Sequence, residues 1–544
     1  MLSIGIDLGT TNTSAAYCGA SEGVLIPLEG GETVMPSTLC FEPDATVHYG
    51  REAIQLYLSR MGRTPIRYKL TDLRALTSVF EDELQGEFVD PEHGLVIVSS
   101  LGGEDAPDLP ARLFQSLKSA LRDPSFHGAT VFGRYHAIEE LLALVLRRVR
   151  EHASAYLGAA VEAAAIGRPV TYAPSVLPAG LSAEHIDRVA SERMLVAARL
   201  AGFTHAALEL EPVAAARRLR RMVLGEGPAL VFDFGGGTLD LALVRAAGEA
   251  RPEILATRGL RLGGDDLDSA IMEHGLLKHF GAGSTVGPKH LPFPPNLIEP
   301  LLHWQTIALL AMPATAARIA AIKRPSNAPA CVERLQTLVR EGLGFRLFQL
   351  IEAAKIELSG QPTSAIVLRH RGLEIAERLT RGQFVAAITP HLGSIERALG
   401  ALLATADLPA EAVGTVLMTG GSSLVPIVQA TVRRIFPGAR VQVADPFTSI
   451  AAGLSIMAAQ DDVCQPLDHV TSAATSERIR AEAVAIGQRV RFVRGDQAVE
   501  GLVVGRAGGS LHDAFLVIEF WDAEIEEFVS TIRHETKVTC VADA

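Results

Sequence analysis

Hydrophobic and polar positions along this chain fall into two rhythms, and their alternation predicts a mixed fold of strands and helices. A short apolar run ends at Asp7, and a second returns through Ser14 to Tyr17 as its hairpin partner. Leucines and valines at three- and four-residue spacing predict a helix over 139–157, and AAAIGRPV predicts a short strand over 163–170. Ser182 is placed to cap a helix that runs to Gly202, a residue suited to the left-handed end of a helix. After the break GEGP at 225–228 the order starts again: the strand ALVFDF, a glycine turn, a returning strand, then helices. Residues 335–360 read as mainly helical, 364–379 as a hairpin turning at Arg371 and Gly372, and 415–436 as strand, glycine turn and helix. Interleaving of this kind predicts the α/β class.

Two stretches break the rhythm. Residues 81–112 are acidic and rich in Gly and Pro, which predicts a surface insertion, and 460–485 are polar and read as a linker or loose helix. Beyond them IGQRVRFV, AVEGLVVG, AFLVIEFW, EEFVSTI and KVTCV predict five short strands in a small separate β-barrel with an SH3-like pattern.

Composition narrows the function classes. A chain of 544 residues exceeds one core, so two to four domains are expected. Its 48% hydrophobic and 21% charged residues suit an ordinary folded interior, and a net charge of −12 argues against nucleic-acid binding. The cysteines at 18, 40, 331, 464 and 540 include no C-x-x-C pair and read as reduced thiols in a cytoplasmic protein. Asp7 interrupts the N-terminal apolar run, which argues against a signal peptide. The most apolar long window, 301–322, contains His, Gln, Pro and Arg and reads as buried helices rather than a membrane span.

The chemistry lies in a repeated phrase. IGIDLGTTNTSAAY at 4–17 and VFDFGGGTLDLALV at 231–244 each end a strand in Asp, then turn through glycine to Thr. Glycine brings backbone N–H groups close to phosphate oxygens, and threonine hydroxyls add donors. An aspartate beside phosphate makes sense when a hydrated Mg²⁺ lies between them. Each copy alone reads as a β-turn; two in matching contexts, with a third glycine turn at 420–421, predict a phosphate clamp. No Gly-Lys dipeptide occurs, so there is no Walker A loop, and GAGSTVG at 281–287 has the wrong spacing for a dinucleotide fingerprint.

These two segments, with LMTGGSSLVPIVQ, LELEPVAAA, LRLGGDDLD and EAAKIELS in this order, resemble the actin-like ATPase superfamily, and within it the DnaK-type heat shock protein 70 kDa chaperones. The resemblance covers roughly 1–460, and the insertions are similar to those of a short YegD-like branch. It implies two RNase H-like lobes around a deep cleft holding ATP or ADP with Mg²⁺. The organisation it suggests is lobe one over 1–224, lobe two over 225–460 with a helical and hairpin subdomain near 281–380, a linker over 461–485 and the β module over 486–544.

Carried over residue by residue, Gly9, Thr10, Thr11 and Asn12 would hold phosphates from one lobe, and Gly235, Gly236, Gly237 and Thr238 from the other. Asp7 and Asp233 would hold the metal through water, and Asp233 or Glu211 would steer the attacking water. Lys118 matches a lysine that orients that water; its rival reading is an exposed helix lysine. Glu352 and Lys355 would contact the ribose, Ser359 the adenine edge, and Gly420, Gly421 and Ser422 would pass beneath the adenosine and α-phosphate. Asp240 matches a position linked to a monovalent-cation site, or is a plain strand-end acid.

Three departures matter. Ile356 and Leu424 stand where the family stacks adenine between two arginines, which predicts weaker ATP binding or looser base selectivity. The apolar coupling linker of the family is not visible, and too few residues follow 460 for its β-sandwich and lid, so ordinary peptide holding is not expected.

Smaller features add little. RRLRRM at 217–222 reads as a solvated helix face or a partner patch, the sequon at Asn12 falls inside the phosphate turn, and no H-x-x-x-H spacing suggests zinc. Six basic against nine acidic residues over 486–541 disfavour RNA, which leaves Phe515, Phe520 and Trp521 as core and the module as a docking domain.

The leading expectation is a slow Mg²⁺-dependent ATPase that closes its lobes on nucleotide and acts through protein partners. The alternative is a nucleotide-gated scaffold with little turnover that acts through its C-terminal module. A carbohydrate or acetate kinase would need an acceptor base, and a filament would have to fit the bulky 281–345 region; neither has a signature here.

Overall fold

The structure is a computed structural model. It describes residues 1–61 except 21 and residues 111–460 except 124–125, 174–176, 178–181, 220–226, 246–251, 312 and 444–447. It also describes 463–468, 470 and the backbone of 489–494, 497–506, 515–522, 527–534 and 538–540. The expected insertion at 81–112 lies outside these residues except for Ala111 and Arg112.

Two sheets share one plan. In the first, Glu22–Leu25, Asn12–Gly19, Ser3–Leu8, Ala163–Arg168 and His205–Leu210 lie side by side, the early strands antiparallel and the last two parallel to Ser3–Leu8. In the second, Glu253–Leu260, Leu239–Arg245, Pro228–Phe234, Thr415–Thr419 and Arg440–Val443 repeat that order and those directions. Ser3–Leu8 and Pro228–Phe234 are central strands with nearly continuous burial, as apolar runs covered on both faces require. The sequence repeat is therefore a repeat of the whole sheet, and it builds the two-lobed α/β fold that the resemblance implies.

Two helices lie between the sheets, each on the sheet of the other half of the chain. Glu211–Leu219 contacts Pro228–Phe234 and Leu239–Arg245, while Ser449–Ala458 covers Ser3–Leu8, Asn12–Gly19 and Ala163–Arg168. Ala214, Ala215 and Ala216 of the first helix share one buried cluster with Ile450, Leu454 and Met457 of the second. Backbones approach so closely that a Cβ on Gly453 would lie 1.8 Å from the Ala214 carbonyl oxygen, and one on Gly5 would lie 2.2 Å from the Ser455 nitrogen.

Local signals behave as their chemistry dictates. Helix Ile138–Leu157 ends at Gly158 with φ +69°, and Ser182 Oγ accepts the His185 N–H at 3.2 Å to cap Ala183–Leu200. Strands Thr363–His370 and Leu373–Thr380 alternate buried and exposed positions around a two-residue turn whose Gly372 has φ +73°. In the apolar window, Leu301, Ile307, Leu310 and Ile319 are buried in the second-lobe core. Among the described residues no single helix is long and apolar enough to cross a membrane; Trp304–Ala311 and Thr315–Lys323 qualify together by composition but bend by 80°.

One expectation is corrected. The stretch read as a linker begins inside the first lobe: Gln465–Pro466 pairs antiparallel with His205–Leu210, and Leu467 is buried in that lobe's core. An unpaired sheet edge and an apolar leucine suffice to recruit it. The five C-terminal strands do form one antiparallel sheet, with Arg489–Arg494 between Gln497–Arg506 and Val538–Cys540. Among the described residues no pairing joins Glu527–His534 to Val538–Cys540.

Candidate functional site

The two hairpin tips are built alike. Asp7 pairs with Ser14, and Gly9 N–H donates to the Asn12 carbonyl at 2.9 Å. Asp233 pairs with Asp240, and Gly235 N–H donates to the Thr238 carbonyl at 2.9 Å. The tips meet across the gap between lobes: a Cβ on Gly236 would lie 2.2 Å from Thr11 Oγ1, and one on Gly237 would lie 3.2 Å from Thr10 Oγ1. Glycine is needed there for space rather than for backbone angle.

A third turn backs the second tip. Gly420 has φ +81°, and a Cβ on it would lie 2.3 Å from the Phe234 carbonyl oxygen. Ser422 Oγ donates to the Gly235 carbonyl at 2.8 Å, and the N–H groups of Gly264 and Asp265 donate to the carbonyls of Gly235 and Gly236 at 3.0 and 2.9 Å. The backbone carbonyls of this loop are thereby occupied from behind.

Asp7, Gly9, Thr10, Thr11, Asn12, Lys118, Glu211, Asp233, Gly235, Gly236, Thr238, Gly420 and Gly421 line one cleft. Strand ends and turns widely separated in sequence thus converge on one cleft. Lys118 is buried, which removes the exposed-lysine reading. Its Nζ donates to the Gly167 carbonyl at 3.2 Å and forms an ion pair with Glu211, the first residue of helix Glu211–Leu219.

The cleft is rich in negative charge. Burial first and the Glu211 charge second push the Asp7 carboxyl up to about 7, with Lys118 opposing. Asp233 is raised well above its ordinary value by burial, then by Glu211, Asp240 and Asp7. Asp240 is pushed up to about 6 by burial and Glu211, against hydrogen bonds from the Val170 N–H and the Thr238 side chain. Among the described residues, the Asp7 and Asp233 carboxylates accept no hydrogen bond from the protein. Two cleft-facing carboxylates held above their ordinary range form a donor set that a divalent cation would satisfy. Among the described residues no three Asp, Glu, His or Cys side chains converge to enclose an ion directly, so a Mg²⁺ here would keep most of its water.

The residues expected around the nucleoside lie on other elements. Glu352, Lys355, Ile356 and Ser359 lie on helix Gly344–Gly360, and Leu424 ends the short turn Gly421–Leu424; none of them is among the cleft-lining residues above. Lys355 is turned inward, with its Nζ 2.8 Å from Asp268 and 3.0 Å from the Gly264 carbonyl. Ser359 donates to the Lys355 carbonyl at 3.2 Å. Ile356 is 64% exposed and Leu424 41%, so both apolar side chains face outward.

Five lining residues escape the motif reading: Ser119, Arg122, Pro169, Tyr172 and Ile450. Arg122 carries a usable signal, since it follows Lys118 within one segment, FQSLKSALR, at a helical spacing. Tyr172 belongs to a loop anchored by Asp187, whose Oδ1 accepts the N–H groups of Tyr172 and Ala173 at 2.5 and 3.3 Å.

Comparison with known proteins agrees with this geometry. A family model described as Hsp70 protein matches residues 118–287 and 341–472. "Chaperone protein DnaK" of Thermus thermophilus is 27% identical over 464 residues, which covers 84% of this chain and 60% of that protein. "Chaperone protein HscA homolog" of Azoarcus sp. is 27% identical over 463 residues, with 84% and 58% covered. "Chaperone protein dnaK1" of Parasynechococcus marenigrum is 27% identical over 468 residues, with 84% and 56% covered. The chain thus matches less than two thirds of the length of these relatives. With more than half of its residues matched by one family model and the motif residues gathered in one cleft, the chain belongs to the Hsp70 family.

Proposed function

We propose that the chain binds ATP with Mg²⁺ in the cleft between its lobes, hydrolyses it slowly, and uses the resulting lobe movement in chaperone-like work on protein partners in the cytoplasm. The observation that carries this reading is the meeting of the two tips, with Thr10 and Thr11 against Gly236 and Gly237 and with Asp7 and Asp233 in the same cleft. The turns Gly9–Asn12 and Gly235–Thr238 offer backbone N–H groups and hydroxyls to phosphate oxygens. Asp7 and Asp233 would hold the ion through its waters, and the ion supplies positive charge to the phosphates. Glu211 stands where it can orient a water, and Lys118 offsets the carboxylate charge. Phosphoryl transfer to water asks for this positioning and charge balance more than for covalent chemistry.

One contact favours a second reading, a nucleotide-gated scaffold with scarce turnover. Lys118 is already committed to Glu211, so the pair would have to separate before either could serve the attacking water. Single-turnover hydrolysis by wild type, Asp233→Asn and Lys118→Met separates the readings. The ATPase reading expects both variants to be at least about tenfold slower. Equal slow rates in all three would leave the scaffold.

On either reading the C-terminal sheet is a docking module for a protein partner, and Asp240 is the position at which a monovalent cation would act.

A further inference from the structure

The short helical stretch Leu117–Arg122 brings two cationic side chains to the cleft, Lys118 near its start and Arg122 at its end. Lys118 is engaged by Glu211 and by the Gly167 carbonyl. Arg122 is not engaged: among the described residues its guanidinium makes no hydrogen bond and no ion pair, although it lines the same cavity as Thr10, Gly235 and Gly236. Tyr172 lines that cavity too, and its hydroxyl is buried with no hydrogen-bond partner among the described residues.

The surroundings of Arg122 are unfavourable to an unpaired cation. Burial, then the charge of Arg261, lower its pKa, and Asp240, Asp266 and Tyr172 oppose this only in part. Those two carboxylates have other duties. Asp240 accepts the Val170 N–H at 2.6 Å, and Asp266 accepts the Gly263 N–H at 2.6 Å. A guanidinium does not shed its proton, so an anion is the remaining remedy for a half-buried arginine beside another arginine. Its planar fork of donors matches a phosphoryl face in two parallel hydrogen bonds, which an ammonium cannot reproduce.

We infer that Arg122 is a substrate-binding residue that contacts the terminal phosphoryl group of the bound triphosphate, with the Tyr172 hydroxyl beside it. The assignment rests on the ATP reading of the cleft and adds a discriminating element to it. ATP carries the group that Arg122 recognises and ADP does not, so Arg122 sets the preference between them.

The test is calorimetric titration of the full chain with Mg²⁺ and either ADP or the non-hydrolysable β,γ-imido analogue of ATP. Wild type, Arg122→Met and Arg122→Lys are compared. Loss of a charge-assisted contact predicts that Arg122→Met binds the analogue about ten- to a hundredfold more weakly and ADP within about twofold of wild type. Arg122→Lys, which keeps the charge and loses the fork, should fall between them, and it carries the comparison if the methionine variant melts early. Equal losses for both nucleotides, or no loss for either, overturn the inference while wild-type binding leaves the ATP reading standing. Wild type that binds neither nucleotide overturns both.

Discussion

Val170 and Asp240 belong to different lobes, and the Val170 N–H donates to Asp240 Oδ1 at 2.6 Å. Asp240 holds, in the second hairpin, the register position that Ser14 holds in the first, each opposite the motif aspartate. The repeat has diverged there in a useful way, since a carboxylate reaches a backbone that a serine hydroxyl would not. Asp240→Ala should therefore loosen the closed arrangement. We expect a fluorescent ADP analogue to dissociate about tenfold faster in stopped flow; an unchanged rate would mean that this bond does not limit opening.

The acid content of the cleft predicts a pH signature. Asp7, raised from 3.8 to about 7, contributes stability that is fully present below its unfolded value and is lost as pH rises through the folded value. In Mg²⁺-free solution Asp7→Asn should raise Tm by about 1–3 °C near pH ~7.5, where the native carboxylate is charged and crowded. Near pH ~5.5 it should do little, because Asp7 is then largely protonated. A shift of equal size at both values would count against the electrostatic account.

An aromatic contact joins the two halves of the chain. Tyr57, on the first-lobe helix Gly50–Arg60, meets Phe345 with ring centroids 5.7 Å apart, and Phe345 meets Trp304 at 4.8 Å, both edge to face. Phe345 and Trp304 belong to the second lobe, and Phe345 is buried, with Tyr57 of the first lobe against its ring. Edge-to-face pairs contribute about 0.5–1.5 kcal/mol, and Phe345→Ala should speed nucleotide release by about two- to tenfold. Trp304 emission, read in a Trp521→Phe background, should shift to the red as the cleft opens. Emission indifferent to both nucleotide and Phe345→Ala would dismiss the contact as a closure element.

Base recognition should be recoverable. On the proposed nucleotide reading, exposed Ile356 and Leu424 would stand at the base, where guanidinium planes would add about 0.5–2 kcal/mol each. Ile356→Arg with Leu424→Arg is expected to tighten ATP more than it tightens inosine triphosphate. Competition titration of the two nucleotides decides it, and parallel gains would point to simple charge attraction.

Two glycines separate assembly from ligand grip. Gly236→Ala puts a methyl group 2.2 Å from Thr11 Oγ1 at the tips, so nucleotide affinity should fall at least about tenfold with little change in melting. Gly453→Ala drives a methyl group into the Ala214 carbonyl within the interlobe core and should cost about 1–3 kcal/mol of stability. Melting and titration of both variants would expose a reversal of these roles.

The sequence made the repeated strand–turn–strand unit legible because Asp, Gly and Thr serve local geometry and chemistry at once. Helices 138–157 and 183–200 were readable from spacing and caps, and the 363–380 hairpin from alternation and Gly372. The sequence did not reveal the Val170–Asp240 bond, the Tyr57–Phe345 contact or the lone guanidinium of Arg122. Each depends on which distant groups remain to be paired once the lobes have closed, and no local pattern encodes that. Lys118 had two readings for the same reason, and its burial beside Glu211 removed the exposed one. The C-terminal strands were visible by alternation, whereas closure of a sheet depends on its two outer strands finding each other.

The helices Glu211–Leu219 and Ser449–Ala458 have exchanged sheets, and this interlacing bears on how the molecule comes into being. A ribosome that has delivered only the first two hundred or so residues has made a sheet still waiting for its cover, which arrives with Ser449–Ala458. Neither half can mature alone, and severing the chain near 224 should yield two fragments that become ordered only in each other's company.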